Sequence, residues 1–495
     1  MDFTEIYKQT AGLVAFSPGT HFLLTAVQDR VVIRRSDSFQ IQRTWQIGES
    51  FEAPMMQLST SQMPPKAPSR AELASAWITH AGWSCDSEYI LAACTKIGVV
   101  EIFKLRDEAW NARIDCGAEG LCRAEWAPDG RSILCFSDWG LRVTIWSLTT
   151  GTATHIQFPI HPDRGFAFSR NGKYFMLGER HKSKDTLGVY DTSQSYRLVR
   201  HFPLPSSSLA AVFLSPAGNV LAISEGPLEY KLYVVTLAGD LLGTFSPEPD
   251  RGLGIRSVAW HPSGNYLAVA GWDDKIYILE SLTWGPVAVL ELQSRIPAGV
   301  AVWREPAKWI ESTQGRGFIQ YERARSPSSL SITRPDLSKA YPKSGAVQLS
   351  FNASGTLLLA RFESTPNAVH IYAFPTPQDA QSRDATRGTP RLRSVLIHNQ
   401  PVQSAGWNPA KPGVLALSCG CESMYIWRDE FPVINEDGVE EVQEVAECVG
   451  VPAQSFSAKD VRWSPDGKGL ILLSKDTFCC AFEAEEDVPA EEPED

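Results

Sequence analysis

Residues 257–290 decide the fold. They read Ser257-Val258-Ala259-Trp260, the turn His261-Pro262-Ser263-Gly264-Asn265, then Tyr266-Leu267-Ala268-Val269-Ala270. A tight Trp272-Asp273-Asp274 follows, then Ile276-Tyr277-Ile278-Leu279 and, after a short polar stretch, Val287-Ala288-Val289-Leu290. Each run is almost wholly apolar and is bounded by Pro, Gly, Ser or Asp. That pattern predicts four short strands covered on both faces and joined by tight turns. A helix of this span would repeat its apolar side chains every 3.6 positions, and this stretch does not.

Working outward, the same unit recurs. An aromatic or Leu, a small polar residue and usually Pro, Asp or Gly start each copy. The starts are Phe16-Ser17-Pro18-Gly19, Trp83-Ser84-Cys85-Asp86, Trp126-Ala127-Pro128-Asp129-Gly130, Phe168-Ser169-Arg170-Asn171-Gly172 and Leu214-Ser215-Pro216-Ala217-Gly218. Trp260-His261-Pro262, Phe351-Asn352-Ala353-Ser354-Gly355, Trp407-Asn408-Pro409 and Trp463-Ser464-Pro465-Asp466-Gly467 complete nine. From Trp83 to Trp260 the steps are 43, 42, 46 and 46 residues. Four strands in roughly 40–45 residues is the WD40 signature, so the expected fold is an all-β WD40 β-propeller with about nine four-stranded blades. Propellers usually hold about four to eight blades, and the alternative is a seven- or eight-bladed ring plus extra blades. Asp recurs at the turn between the second and third strands (Asp29, Asp138, Asp185, Asp274, Asp476), where a short carboxylate can accept local backbone N–H bonds.

The last copy supplies three strands: Asp460 to Trp463, Gly469 to Ser474 and Thr477 to Phe482. Asp2-Phe3-Thr4-Glu5-Ile6-Tyr7-Lys8 alternates apolar and polar side chains and is expected to provide the fourth, closing one ring over residues 1–482. Insertions at 49–76, 291–346, 375–392 and 429–458 break the period. The second of these could hide a degenerate blade around Val300-Ala301-Val302-Trp303 and Phe318-Ile319-Gln320-Tyr321. Long loops in a compact domain are usually functional or disordered. Residues 483–495 hold eight acids and no base, a disordered acidic tail that carries −8 of the formal −11.

Composition narrows the function. The 495 residues are 43% hydrophobic and 21% charged, within the globular range. No apolar run reaches the roughly 18 residues of a membrane helix, and the start lacks a basic n-region, as in a soluble, cytoplasmic chain. The ten cysteines are scattered without paired CxxC sets, so neither disulfides nor zinc are expected. With the tail removed the body is nearly neutral and has no basic stripe, which disfavours membrane and nucleic acid. No HExxH, GxSxG, P-loop or GxGxxG pattern occurs, and the nine histidines are dispersed. No catalytic residue, cofactor, metal or small-molecule substrate is expected.

A rigid platform for protein partners remains. The turns between second and third strands should share one face of the ring. Two of them set Trp beside Asp: Asp138-Trp139 and Trp272-Asp273. An aromatic at a turn tip is costly to leave in water and is a favoured interface anchor, although each ring can instead pack on the adjacent blade. Arg180-His181-Lys182 and the turn bounded by Glu225 and Glu229 occupy the corresponding positions of neighbouring copies. A helical or coiled-coil partner would lay an apolar stripe across such a surface.

Several strings lie outside the generic repeat. They include Arg30-Val31-Val32-Ile33-Arg34, Leu141-Arg142-Val143-Thr144-Ile145-Trp146, Leu228-Glu229-Tyr230-Lys231, Leu253-Gly254-Ile255-Arg256-Ser257, Pro366-Asn367-Ala368-Val369 and Leu473-Ser474-Lys475-Asp476-Thr477-Phe478-Cys479. In these the chain resembles, over nearly its whole length, the centrosomal and spindle-pole WD-repeat family known as WD-repeat-containing protein eight, or WD repeat protein antisense to p73. The resemblance implies a non-enzymatic scaffold of the cytoskeleton at the spindle pole body or centrosome. It also implies a small coiled-coil partner and a minus-end-directed kinesin held where microtubule minus ends are anchored. The alternative is a translation- or RNA-linked propeller scaffold.

Overall fold

In five copies the small polar residue after the repeat aromatic closes the first turn. Ser17, Ser84, Ser169 and Ser464 accept, through Oγ, the N–H of the residue five positions on, at 3.1, 2.9, 2.8 and 2.8 Å. Asn352 does the same for Leu357 through Oδ1 at 3.0 Å. This side-chain bond pins the turn that starts the second strand. In the computed structural model all residues are described except 49–76, 249–252, 314, 325–327, 337, 340–341, 376–388, 435–439, 454–455 and 484–495.

The described residues form nine sheets, one per repeat copy, numbered here as blades 1 to 9, each built on an antiparallel four-stranded meander. Blade 1 runs Val14–Phe16, Phe22–Val27, Arg30–Arg35, Ile41–Gln46 from inside to outside. Blade 6, read first in the sequence, runs Ser257–Trp260, Tyr266–Ala270, Lys275–Glu280, Pro286–Glu291. The chain's first residues complete blade 9: Asp2 pairs with Phe482, Phe3 with Ala481, and Tyr7 with Phe478.

Apolar side chains sit between blades rather than within them, which is why single copies cannot stand alone. Each adjacent pair of blades has its own buried cluster. Leu24, Ile33, Ile90 and Phe103 join blades 1 and 2; Val14, Leu23, Ile471 and Phe478 join blades 9 and 1. The second cluster closes the circle, and all nine copies belong to one ring.

Five inner-strand tryptophans add a directional bond. Trp83, Trp126, Trp260, Trp407 and Trp463 donate Nε1–H to the carbonyls of Ala15, Gly82, Phe213, Ser350 and Gly406, each in the preceding blade, at 2.9–3.2 Å. Copies that begin with Phe or Leu lack the indole N–H. At the seam between blades 9 and 1, where Phe16 stands in place of Trp, Arg462 donates instead to Gly12 and Val14 carbonyls at 2.9 and 3.2 Å. Replacing Trp126 with Phe is therefore expected to cost about 1–2 kcal/mol, since the Gly82 carbonyl loses its donor while the ring volume is largely kept. Urea unfolding of the two proteins measures the difference.

The turn aspartates do more than the sequence suggests. Asp185 Oδ2 accepts from Leu209 N at 2.6 Å, and Asp274 Oδ1 from Gly345 N at 2.7 Å and Ser364 Oγ at 2.7 Å. Both carboxylates cross to the next blade rather than only closing their own turn.

Among its described residues, the insertion at 291–346 forms no separate blade. Ala301–Arg304 pairs in parallel with the outer strand of blade 7, Arg391–Ile397, and Glu322–Arg323 pairs on its far side. Phe318–Gln320 instead adds to the outer strand of blade 8. Blades 7 and 8 thus have six and five strands. The segments around Trp303 and Phe318 are too short to stand as a sheet and find their partners on existing edges. Between them the helix Trp309–Thr313 buries Trp309. Glu305, itself buried, holds this joint by accepting from Trp309 Nε1 (2.8 Å), Tyr425 Oη (2.9 Å) and Asn399 N (2.7 Å). Much of 429–458 is also regular: Ser423–Ile434 and Glu440–Gly450 form a long hairpin at the outer edge of blade 8. The expectations for 49–76, for most of 375–392 and for the acidic tail beyond Glu483 lie outside the described residues. Among the described residues no helix is long and apolar enough to cross a membrane.

Candidate protein-docking face

Because strands alternate in direction, the turns between second and third strands share one face with the connections between blades. All nine predicted site residues lie on this face, along the consecutive blades 3, 4, 5 and 6.

Blade 3 turns through Asp138–Gly140, where Trp139 has φ +61°. A bulky residue in the left-handed region is uncommon, and this one is 95% exposed. It projects from the rim rather than packing on a neighbour. Leu141 and Phe158 are also exposed, and Phe158 N donates to the Leu141 carbonyl at 2.9 Å, so the two lie side by side. Asp138 is half-buried against Gly120; a Cβ there would overlap its carboxylate, which leaves glycine as the residue that fits.

Blade 4 makes its turn in two residues, Lys182 and Ser183, both with positive φ, as a hairpin following the strand twist requires. Lys182 is fully presented to solvent. Arg180 Nε donates to the buried Asp185 at 2.8 Å, which raises the guanidinium's pKa above its ordinary value. His181 turns inward, its ring edge-on to Phe158 with centroids 5.7 Å apart.

Blade 5 contributes a buried and a half-buried acid. Glu225 accepts from Ser207 Oγ (3.1 Å) and Ser208 N (2.6 Å), tying down the connection that enters its own blade. Glu229 pairs with Lys231 at 2.6 Å, and Leu228 at the tip is 82% exposed.

Blade 6 is different. Trp272 lies under the Arg256 guanidinium, 4.3 Å from its centroid, and Arg256 also pairs with Glu363 of blade 7. This ring is engaged within the propeller, whereas Trp139 is presented to solvent. Asp273 accepts from Tyr277 Oη at 2.9 Å, and burial raises its carboxyl pKa. The exposed apolar groups are therefore Trp139, Leu141 and Phe158, with Leu228 further along the rim. Sequence reading missed Leu141 and Phe158, because exposure of an ordinary apolar residue after a strand or in a connection has no local signal.

A WD domain, G-beta repeat model matches residues 239–279, which span most of blade 6. The mouse (Mus musculus) WD repeat-containing protein WRAP73 is 32% identical over 97% of this chain and 96% of its own length. The chain belongs to the WRAP73 family. An uncharacterized WD repeat-containing protein of Schizosaccharomyces pombe, C32H8.09, is 20% identical over 83% of this chain and 81% of that one. Among solved structures, the C-terminal WD40 domain of Sif2 is similar at 11% identity with a TM-score of 0.46, covering 91% of this chain and 99% of that one. For this WRAP73-family chain, the propeller itself is established by its strand pairing and by the cluster that closes the circle.

Proposed function

We propose that this WRAP73-family propeller is a non-enzymatic adaptor of the spindle pole body or centrosome. In this reading the face of blades 3 to 6 captures a small coiled-coil protein, and the complex holds a minus-end-directed kinesin where microtubule minus ends are anchored. The observation that carries the docking chemistry is Trp139, a fully presented indole held rigidly at a turn tip beside Leu141 and Phe158. A rigid aromatic flanked by apolar groups matches one stripe of an amphipathic helix, and burying it on binding makes it an anchor. The spindle-pole address rests on the family relationship.

Two measurements test the reading. Affinity purification of Trp139→Ala is expected to recover the coiled-coil partner at least tenfold less well than the parent protein, with an unchanged melting temperature because the side chain packs on nothing. Trp272→Ala should instead lower stability, since it removes the ring under Arg256. Equal partner recovery by Trp139→Ala rejects this face. Tagged protein in dividing cells should concentrate at the poles, and a uniform cytoplasmic or ribosome-associated signal rejects the address.

A further inference from the structure

We propose that blade 4 carries a Zn(II) site built by Glu179, His181 and His201. It shares His181 with the docking face, but its test reads metal binding and not partner capture, so its failure would leave the docking reading standing.

The strand Tyr174–His181 places Glu179 and His181 two positions apart, so both side chains leave the same face of the sheet. Across the blade, the outer strand Arg197–Pro203 brings His201 opposite Gly188. Gly188 lies between the two strands and opens the space into which the acid reaches. A Cβ at that position would collide with Glu179 Oε1 and with the Tyr190 ring. The carboxylate therefore crosses a gap in the pleat to meet an imidazole that is not on the neighbouring strand.

The result is a convergence of three metal-binding atoms. His181 Nε2 is 2.9 Å and His201 Nε2 3.4 Å from the same carboxylate oxygen, Glu179 Oε2. All three donor atoms lie within 4.8 Å of one another. A tetrahedral zinc with bonds of about 2.0–2.1 Å separates its ligand atoms by roughly 3.3–3.4 Å, so small rotations of the two rings suffice. The two rings meet edge-on with centroids 5.4 Å apart and both reach solvent: the His181 and His201 side chains are 40% and 36% exposed, while Glu179 is almost wholly buried.

A second layer orients the acid. The Tyr190 hydroxyl donates to Glu179 Oε1 at 2.5 Å, leaving Oε2 for the histidines. Hydrogen bonds that fix a ligand's second oxygen in this way accompany metal sites. The guanidinium on this strand, Arg180, pairs with Asp185 and not with Glu179. His181 Nε2 is within hydrogen-bond distance of Glu179 Oε2 and His201 Nε2 lies 3.4 Å from it. A zinc ion held by all three would keep a fourth position open to water on the exposed side. Two imidazole nitrogens with one carboxylate suit zinc rather than calcium or magnesium, which prefer all-oxygen shells.

The signal was present in the sequence as Glu179-Arg180-His181, an acid and a histidine at strand spacing. The third ligand is hidden by the meander: two strand turns separate His201 from His181 in the chain.

The test uses the full chain, stripped with a chelator and titrated with zinc chloride by calorimetry. One ion per chain with a dissociation constant of micromolar or below is expected. His181→Ala and His201→Ala should each weaken binding at least tenfold, and His155→Ala, in blade 3, should bind as the parent does. Cobalt(II) in place of zinc should show the visible absorption of a four-coordinate ion, lost in both variants. Absence of a saturable one-to-one isotherm in the parent protein overturns the site, and so does parent-like affinity in either ligand variant. The first criterion needs no mutant to fold.

Discussion

Removing residues 1–8 is expected to cost on the order of 5 kcal/mol of unfolding free energy and to leave the protein prone to aggregation. Among the described residues, Asp2–Phe3 and Tyr7–Lys8 are the only strands that cover the open edge of Thr477–Phe482. Between them Thr4 N donates to the Cys480 carbonyl at 2.9 Å, and Cys480 N donates to Thr4 Oγ1 at 2.9 Å. Tyr7 stacks on Phe39 of blade 1 (5.7 Å between centroids) and tilts against Phe478 of blade 9 (5.5 Å), so one side chain spans the seam of the ring. Arg34 lies over the same ring at 4.7 Å. Several backbone bonds at about 1 kcal/mol each and the burial of Phe3 and Tyr7 add up to the expected loss. The exposed strand would then read Thr-Phe-Cys-Cys-Ala-Phe, an apolar edge free to pair with another molecule. Urea unfolding and light scattering of the parent and shortened chains decide the matter. A transition midpoint that does not move would mean the ring is not held by this strand.

Acid should destabilise the fold well above the pH at which most carboxylates titrate. His370 lies in the third strand of blade 7, wholly buried, with Phe362 edge-on at 5.3 Å and no hydrogen-bond partner for either ring nitrogen among the described residues. His398 is equally buried, between Tyr425 and Tyr321. Burial holds both pKa values down at about 4, against about 6.5 in an unfolded chain. The folded state thus resists a proton that the unfolded state accepts. The stability this gives is fully present above about pH 6.5 and is lost as the pH falls towards about 4. Each histidine accounts for about 3 kcal/mol over that window, of which roughly 2 kcal/mol is gone by pH 5. Glu101, Glu125 and Asp273, pushed up by burial, act in the opposite direction, equally in parent and variant. For that reason the comparison between pH 7.5 and 5 is made against His370→Phe, and the difference between the two losses is the readout. The parent should lose about 4 kcal/mol in urea unfolding and the variant about half as much. Equal losses in both proteins would remove His370 from the explanation.

Nine copies with a period in the forties were legible because each blade must present the same apolar faces to its neighbours. That need writes an aromatic or Leu, a turn rich in Ser, Pro, Asp and Gly, and two apolar runs into the units. The completion of blade 9 by residues 2–8 was legible for a related reason: three strands and a long alternating start leave one edge and one candidate to cover it. The site was less so. Trp139 and Trp272 look alike in the chain, each beside an Asp in the same kind of turn. Only the fold shows that Arg256 takes up one ring and nothing takes up the other.

Local pattern alone therefore determined the β-architecture, the number of repeats and the face on which the candidate residues lie. Each of these follows from strand periodicity and turn chemistry, which act over a few residues. Tertiary structure decided where the 291–346 insertion goes, which tryptophan is free and which histidines meet Glu179. Those outcomes depend on groups that are distant in sequence and are brought together only when the sheets pair and the ring closes.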